Sequence, residues 1–279
     1  MNTKIGWLDG NFGSTNKLAI PIDDRGLNFG DGIFETIYIE GKTPKLLKAH
    51  LKRWARTAHI LGMEAPPKEE EVKTILTEML KQSDLGNKSA SARLNWSRGS
   101  NLHRGINITK LNDKKGRHKF WIEIVQLKPS FSSVSMMISK QEQRNANSLL
   151  SQCKTFNYMQ SIQARKEARH SGFDDALLLS TTGEICCGAT ANIIIKRDGQ
   201  LLTPRLESGC LPGIMRAQGL SSGTIKEVNL SSKPELSDEW LLINSLSCQP
   251  ISRINHTSLK LFKNPEKLWR SLLNDTKTK

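Results

Sequence analysis

The sequence predicts an α/β fold of mixed α+β type, divided into two domains at 1–128 and 129–279. Three observations carry this expectation. Apolar residues alternate in "GIFETIYIEG" (32–41), the period of a half-buried strand. They recur every third and fourth position at Leu47, Leu51, Trp54, Ala58 and Leu61, the period of an amphipathic helix. Proline and serine in "LKPSFSS" (127–133) then interrupt both patterns near mid-chain.

The elements follow in order. "IGWLDGNFG" (5–13) holds an Asp-Gly turn between apolar stretches, a hairpin signal. In "GIFETIYIEGKTPKLL" (32–47), Ile33, Glu35, Ile37 and Ile39 share one face and Phe34, Thr36 and Tyr38 the other, before a turn at Gly41. "PPKEEEVKTILTEMLKQSDLG" (66–86) opens on prolines and acids and closes near Gly86, the polarity of a helix. "SARLNWSRG" (91–99) and "KFWIEIVQL" (119–127) read as strands.

The second half predicts a strand at "VSMMISK" (134–140), a helix in "TFNYMQSIQARKEA" (155–168) and a strand at "DDALLLS" (174–180). A hairpin turns at Asp198-Gly199, a helix opens at Pro212-Gly213, and "IKEVNL" (225–230) and "EWLLINSLSCQPISRI" (239–254) supply further strand.

Composition narrows the function. The 279 residues hold 41 Lys+Arg against 27 Asp+Glu, a net charge of +14. Such a balance suits nucleic acid, an anionic membrane surface or a small anionic substrate. The basic residues are scattered from Lys4 to Lys279, however, and zinc-finger spacing, an RNP-like aromatic signature and a P-loop are all missing. A small anionic substrate is expected, with no nucleic-acid or membrane partner; a basic nucleic-acid-binding protein stays as the remote alternative. Five cysteines and an N-terminal "MNTKIGWLDG" without an apolar stretch predict a reduced, cytoplasmic protein whose thiols are small buried hydrophobes. No metal site is expected.

Four features bear chemistry. Lys154 sits ahead of the predicted helix, where the positive end of the dipole disfavours a cation, and an uncharged amine there is a nucleophile able to form a Schiff base. Glu184 follows a glycine turn at the start of a strand, placed to hold a protonated ring nitrogen or simply exposed. Arg53 lies beside Leu51 and Trp54 on the core-facing side of its helix, where its fork could grip a phosphate. "CLPGIMR" (210–216) begins a helix whose first N–H groups can also bind phosphate. A nucleophilic lysine, a carboxylate and an anion cradle are what pyridoxal phosphate requires.

In this order and spacing, "DDRGLNFGDGIFETIYIEGKTPKLLKAHLKRW", "SRG", "KTFNYMQSIQARKEA", "GFDDALLLSTTGEICCGATANI" and "LTPRLESGCLPGIMR" resemble the class IV (D-amino-acid/branched-chain) aminotransferase family of pyridoxal-phosphate enzymes. The resemblance implies two α/β domains with the cofactor, pyridoxal 5'-phosphate, in the cleft between them, and a homodimer. It implies that Lys154 holds the cofactor and moves a proton, that Glu184 pairs with the pyridine nitrogen, and that Arg53 binds the phosphate with the backbone of Ile214 and Met215. Tyr158 resembles a tyrosine near the cofactor's phenolic oxygen, or is a packed core tyrosine.

Within the family, "SRGSNLHRG" (97–105), "INSLSCQPISRI" (243–254) and the double cysteine of "EICCGATANI" are most similar to the 4-amino-4-deoxychorismate lyases, which form 4-aminobenzoate and pyruvate for folate synthesis. The alternative is a transaminase of D-amino or branched-chain amino acids. The lyase resemblance makes Arg98 and Arg104 clamps for the two substrate carboxylates and Thr36 a proton donor or relay. Glu35 departs from it, standing where some lyases have threonine.

Overall fold

The computed structural model describes residues 4–100, 105–108, 118–235 and 237–274, and all counts and absences below refer to these. They form two compact units: residues 1–128 with Lys154–Asn157, and 129–153 with 158–279.

The first unit is built on a six-stranded antiparallel sheet. Its strands are β1 (Lys4–Leu8), β2 (Asn11–Gly13), β3 (Gly32–Glu40), β4 (Thr43–Pro44), β5 (Ala90–Ser97) and β6 (Lys119–Gln126), in the order β2-β1-β6-β5-β3-β4. The turn between β1 and β2 places Asp9 and Gly10 at positive φ, 43° and 96°, which the Asp-Gly pair tolerates. The helices are α1 (Arg25–Phe29), α2 (Leu47–Ile60) and α3 (Glu69–Gln82). Three glutamates in the first turn of α3 and Lys81 in its last complement the macrodipole.

Register fixes the two faces of this sheet. Ile33, Ile37 and Ile39 of β3 share a core with Leu94, Ile122, Trp54, Val72 and Leu76. Trp54 is 1% exposed, and truncating such a side chain to alanine costs about 3–5 kcal/mol. The opposite face aligns Phe34 with Asn95 and Trp121, and Thr36 with Arg93 and Glu123.

The second unit has nine strands: β7 (Val134–Ile138), β8 (Asp175–Leu179), β9 (Ile185–Gly188), β10 (Asn192–Arg197), β11 (Gln200–Pro204), β12 (Ile225–Val228), β13 (Glu239–Asn244), β14 (Ser247–Ile254) and β15 (Thr257–Ser258). Their order is β12-β11-β10-β13-β14-β7-β8-β9, with β15 on β14. Its helices are α4 (Met159–His170), α5 (Ile214–Ser221) and α6 (Pro265–Leu273). Strands β7 and β8 are parallel and joined through α4, and β11 and β12 are parallel and joined through α5. These crossovers mix parallel pairs into the sheet, so the fold is mixed α+β as the sequence predicts.

Three expectations change. The helix predicted from residue 155 begins at Met159, because residues 154–157 are extended and bridge to β3. The single strand segment at 239–254 is a hairpin, with Asn244 opposite Ser247. Helices α1 and α6 were unexpected, although α6 carries proline in its first turn and buries Trp269. All five cysteines are buried thiols, as predicted. No described helix is long and apolar enough to cross a membrane, and no described cluster of His, Cys, Asp or Glu could hold a metal ion.

Candidate active site

The backbone of Lys154 is held by strand pairing, not by a helix. Phe34 N donates to Lys154 O at 3.0 Å, and Phe156 N donates to Gly32 O at 2.9 Å. The macrodipole argument for Lys154 therefore fails, since α4 starts five residues later. Glycines make the close approach possible. A Cβ on Gly32 would lie 2.2 Å from the Phe156 ring, and Gly30 has φ 67° with Asn157 Oδ1 2.3 Å from where its Cβ would be. The "FGDG" run is thus a seat for the lysine segment.

On the face of β3 opposite the core, the half-buried Lys154 reaches over Phe34, its Nζ 4.3 Å from the ring centre. The guanidinium carbon of Arg93 lies 3.5 Å from the same centre, and Arg93 Nε donates to Asn95 Oδ1 at 2.8 Å. Cations are drawn to the negative face of an aromatic ring, so Phe34 orders both side chains. Thr36 is the cross-strand partner of Arg93 on this face. The sequence reading missed Phe34 and Arg93. The signal was slight: Arg93 is the one charged residue on the polar side of β5, among Ser91, Asn95 and Ser97.

On the core face of the same strand, Glu35 is 1% exposed. Arg53 Nε donates to its Oε1 at 2.7 Å and Arg53 Nη2 to its Oε2 at 2.5 Å. His50 Nδ1 donates to Oε2 at 2.7 Å, the tautomer an acceptor-only carboxylate requires. Burial would raise the Glu35 carboxyl, but Arg53 and His50 outweigh it and hold it at about 2. Burial pushes the His50 imidazole below its ordinary value; Glu35 offsets this only in part, and Arg53 and Lys154 push the same way as burial. The network is then a carboxylate, a guanidinium and a neutral imidazole. Arg53 was expected as a forked donor, and one edge of that fork, Nε and Nη2, faces Glu35.

Arg98, expected as a substrate clamp, braces the chain instead. Its Nε donates to Asp31 Oδ2 at 2.8 Å, and its terminal nitrogens donate to the carbonyls of Gly62 and Leu61, each at 2.9 Å. Arg25 Nε meets the same Asp31 oxygen at 2.8 Å. Arg104 lies outside the described residues.

The second unit carries the other expected groups. Tyr158 occupies the N-cap position of α4, its carbonyl accepting from Ile162 N at 2.9 Å. Glu184 is half-buried, directly after Gly183 (φ 87°) and before β9, with its carbonyl accepting from Ser180 N at 2.8 Å. Ile214 and Met215 are the first two residues of α5, whose N-cap Gly213 makes no side-chain hydrogen bond. Asn192 Nδ2 donates to Leu211 O at 2.9 Å, and a Cβ on Gly213 would lie 1.9 Å from Asn192 Oδ1. Only glycine fits there. The bare turn leaves the first amides of α5 uncapped by any side chain, the arrangement that suits an anion.

Comparison with known proteins gives the family. The class IV amino-transferase family model matches residues 32–254. A putative branched-chain-amino-acid aminotransferase of Methanocaldococcus jannaschii is 28% identical over 213 residues, covering 75% of this chain and 71% of that protein. The aminodeoxychorismate lyase of Bacillus subtilis is 25% identical over 215 residues, covering 75% and 70%. The structure of a branched-chain aminotransferase from Thermoproteus uzoniensis with norvaline has the same fold, with a TM-score of 0.83, 22% identity and coverage of 97% and 93%. With four-fifths of its length inside that family model, the chain belongs to the class IV aminotransferases, enzymes whose cofactor is pyridoxal 5'-phosphate.

Proposed function

We propose that the chain is a lyase that converts 4-amino-4-deoxychorismate to 4-aminobenzoate and pyruvate. One observation carries the reading: an amine (Lys154) and a guanidinium (Arg93) stand over the ring of Phe34, and a hydroxyl residue (Thr36) lies on the same sheet face, paired across strands with Arg93. This is the set needed to take a proton, return it elsewhere and hold a carboxylate.

The donor types fit pyridoxal phosphate. The fork of Arg53 and the bare turn of α5 beside Gly213 are each a kind of group that suits a phosphate; a carboxylate such as Glu184 suits a pyridinium nitrogen, and an amine such as Lys154 the aldehyde carbon. When bound, the cofactor supplies an electron sink conjugated to the substrate amine. Lys154 takes the proton from the aminated ring carbon while the ether oxygen leaves the neighbouring carbon. Thr36 relays a proton to the methylene of the departing enolpyruvate, which becomes pyruvate as the ring turns aromatic. Arg93 holds a substrate carboxylate in the role first given to Arg98, and the net charge of +14 favours the approach of a dianion. The working form is read as a cytoplasmic homodimer, as the resemblance implies.

A second reading, transamination of branched-chain amino acids, has the Methanocaldococcus jannaschii relative in its favour. The test supplies aminodeoxychorismate without any keto acid and looks for 4-aminobenzoate. Its formation supports the lyase. Amino transfer from branched-chain amino acids to 2-oxoglutarate with no aminobenzoate overturns it in favour of the second reading.

A further inference from the structure

Glu35 is the one charged residue among Ile33, Glu35, Ile37 and Ile39 on the core face of β3. A buried ion pair is weak evidence for stability, since apolar groups of similar volume often serve as well or better. The pair therefore answers a different demand. An arginine with no fixed partner has many rotamers and loses that freedom on gripping an anion. Glu35 takes Nε and Nη2 of Arg53 at 2.7 and 2.5 Å, which fixes the plane of the guanidinium. His50, one turn earlier on α2, takes Oε2 at 2.7 Å and stops the carboxylate from turning.

We propose that Glu35, locked by His50, is a positioning residue that presets Arg53 for the cofactor phosphate. The proposal rests on the reading of Arg53 as a phosphate ligand. Its logic is preorganisation: the guanidinium is ordered before the phosphate arrives. Glu35 itself need not touch the cofactor.

The experiment compares pyridoxal 5'-phosphate with pyridoxal, which lacks the phosphate, as ligands of the full chain freed of cofactor. Wild type, R53Q, E35Q and E35T are compared, with phosphorus NMR of the bound form and a melting curve for each. In E35Q the affinity for pyridoxal phosphate is expected to fall about tenfold, as for other residues that orient a ligand-binding group, while the affinity for pyridoxal is unchanged. The phosphorus resonance is expected to move in the same variant. A merely structural glutamate would weaken both ligands together. If R53Q binds both ligands as wild type does, the phosphate reading of Arg53 falls, and the proposal with it. If R53Q weakens only pyridoxal phosphate and a folded E35Q or E35T does not, the proposal alone is overturned. Failure of both Glu35 variants to fold would make Glu35 a determinant of the fold and also overturn it.

Discussion

Arg93 and Phe34 meet with the guanidinium carbon 3.5 Å from the ring centre, on the sheet face where Lys154 also rests against Phe34. Such stacking, with the bond from Arg93 Nε to Asn95 Oδ1, holds the guanidinium on the face where a substrate carboxylate is proposed to bind. R93A should raise KM for a dicarboxylate substrate at least about tenfold, near 1.4 kcal/mol, with a smaller change in kcat. Steady-state kinetics with the preferred substrate decides this; a variant that loses kcat alone removes Arg93 from binding.

Arg98, the residue directly after β5, should behave in the opposite way. Arg98 ties Asp31 to the carbonyls of Leu61 and Gly62 and is nearly buried. R98A leaves Asp31 and two carbonyls short of donors, which costs about 1–3 kcal/mol. The melting temperature should drop while KM in the surviving folded enzyme stays near that of wild type. A large KM effect at unchanged melting temperature would restore Arg98 as a clamp.

Space around Gly32 leads to a sharper expectation. An added methyl would lie 2.2 Å from the Phe156 ring, so the segment carrying Lys154 must shift to admit it. Overpacking of this kind costs about 1–3 kcal/mol. G32A should both lower the melting temperature and slow covalent capture of pyridoxal phosphate by Lys154, read as the rate of growth of the visible absorption band. Unchanged capture would mean that the segment is not seated by this glycine.

Stability should fall with acid in two stages. The Glu35 carboxyl lies at about 2 in the folded chain against 4.5 ordinarily, so its contribution is full above 4.5 and is lost as pH falls toward 2. The difference corresponds to about 3 kcal/mol. His50 is lowered from 6.5, so the unfolded chain takes up a proton below 6.5 that the folded chain refuses, and stability declines there too. Both groups act in the same direction. Melting curves against pH should show the upper part of the decline missing in H50Q and the lower part missing in E35Q.

Much of this was legible from local pattern. The alternation in β3 gave both of its faces, and the three- and four-residue repeat of α2 gave the side from which Arg53 points inward. Lys154 was identified from its motif, but its setting was misread as a helix start. Its neighbours come from far along the chain: Asn157 bonds Gly30 across 127 residues, and periodicity reports nothing at that range. The same limit explains Arg93 and Arg98. Arg98 was read as a substrate clamp because its partners, Asp31, Leu61 and Gly62, lie far off in sequence, and nothing local singled out Arg93, whose ring partner Phe34 lies on another strand.

The alternation of β3 also divides labour. Residues 34 and 36, with Arg93 opposite, face one way, while Glu35, His50 and Arg53 gather on the other. Changes on the first side can retune which molecule is accepted without touching the anchor behind it. A designer wishing to move this scaffold from one amine-bearing acid to another would therefore vary positions 34, 36 and 93 together. Position 35 would be left alone, because on the proposed role of Glu35 altering it would loosen the hold on the cofactor phosphate whatever the substrate.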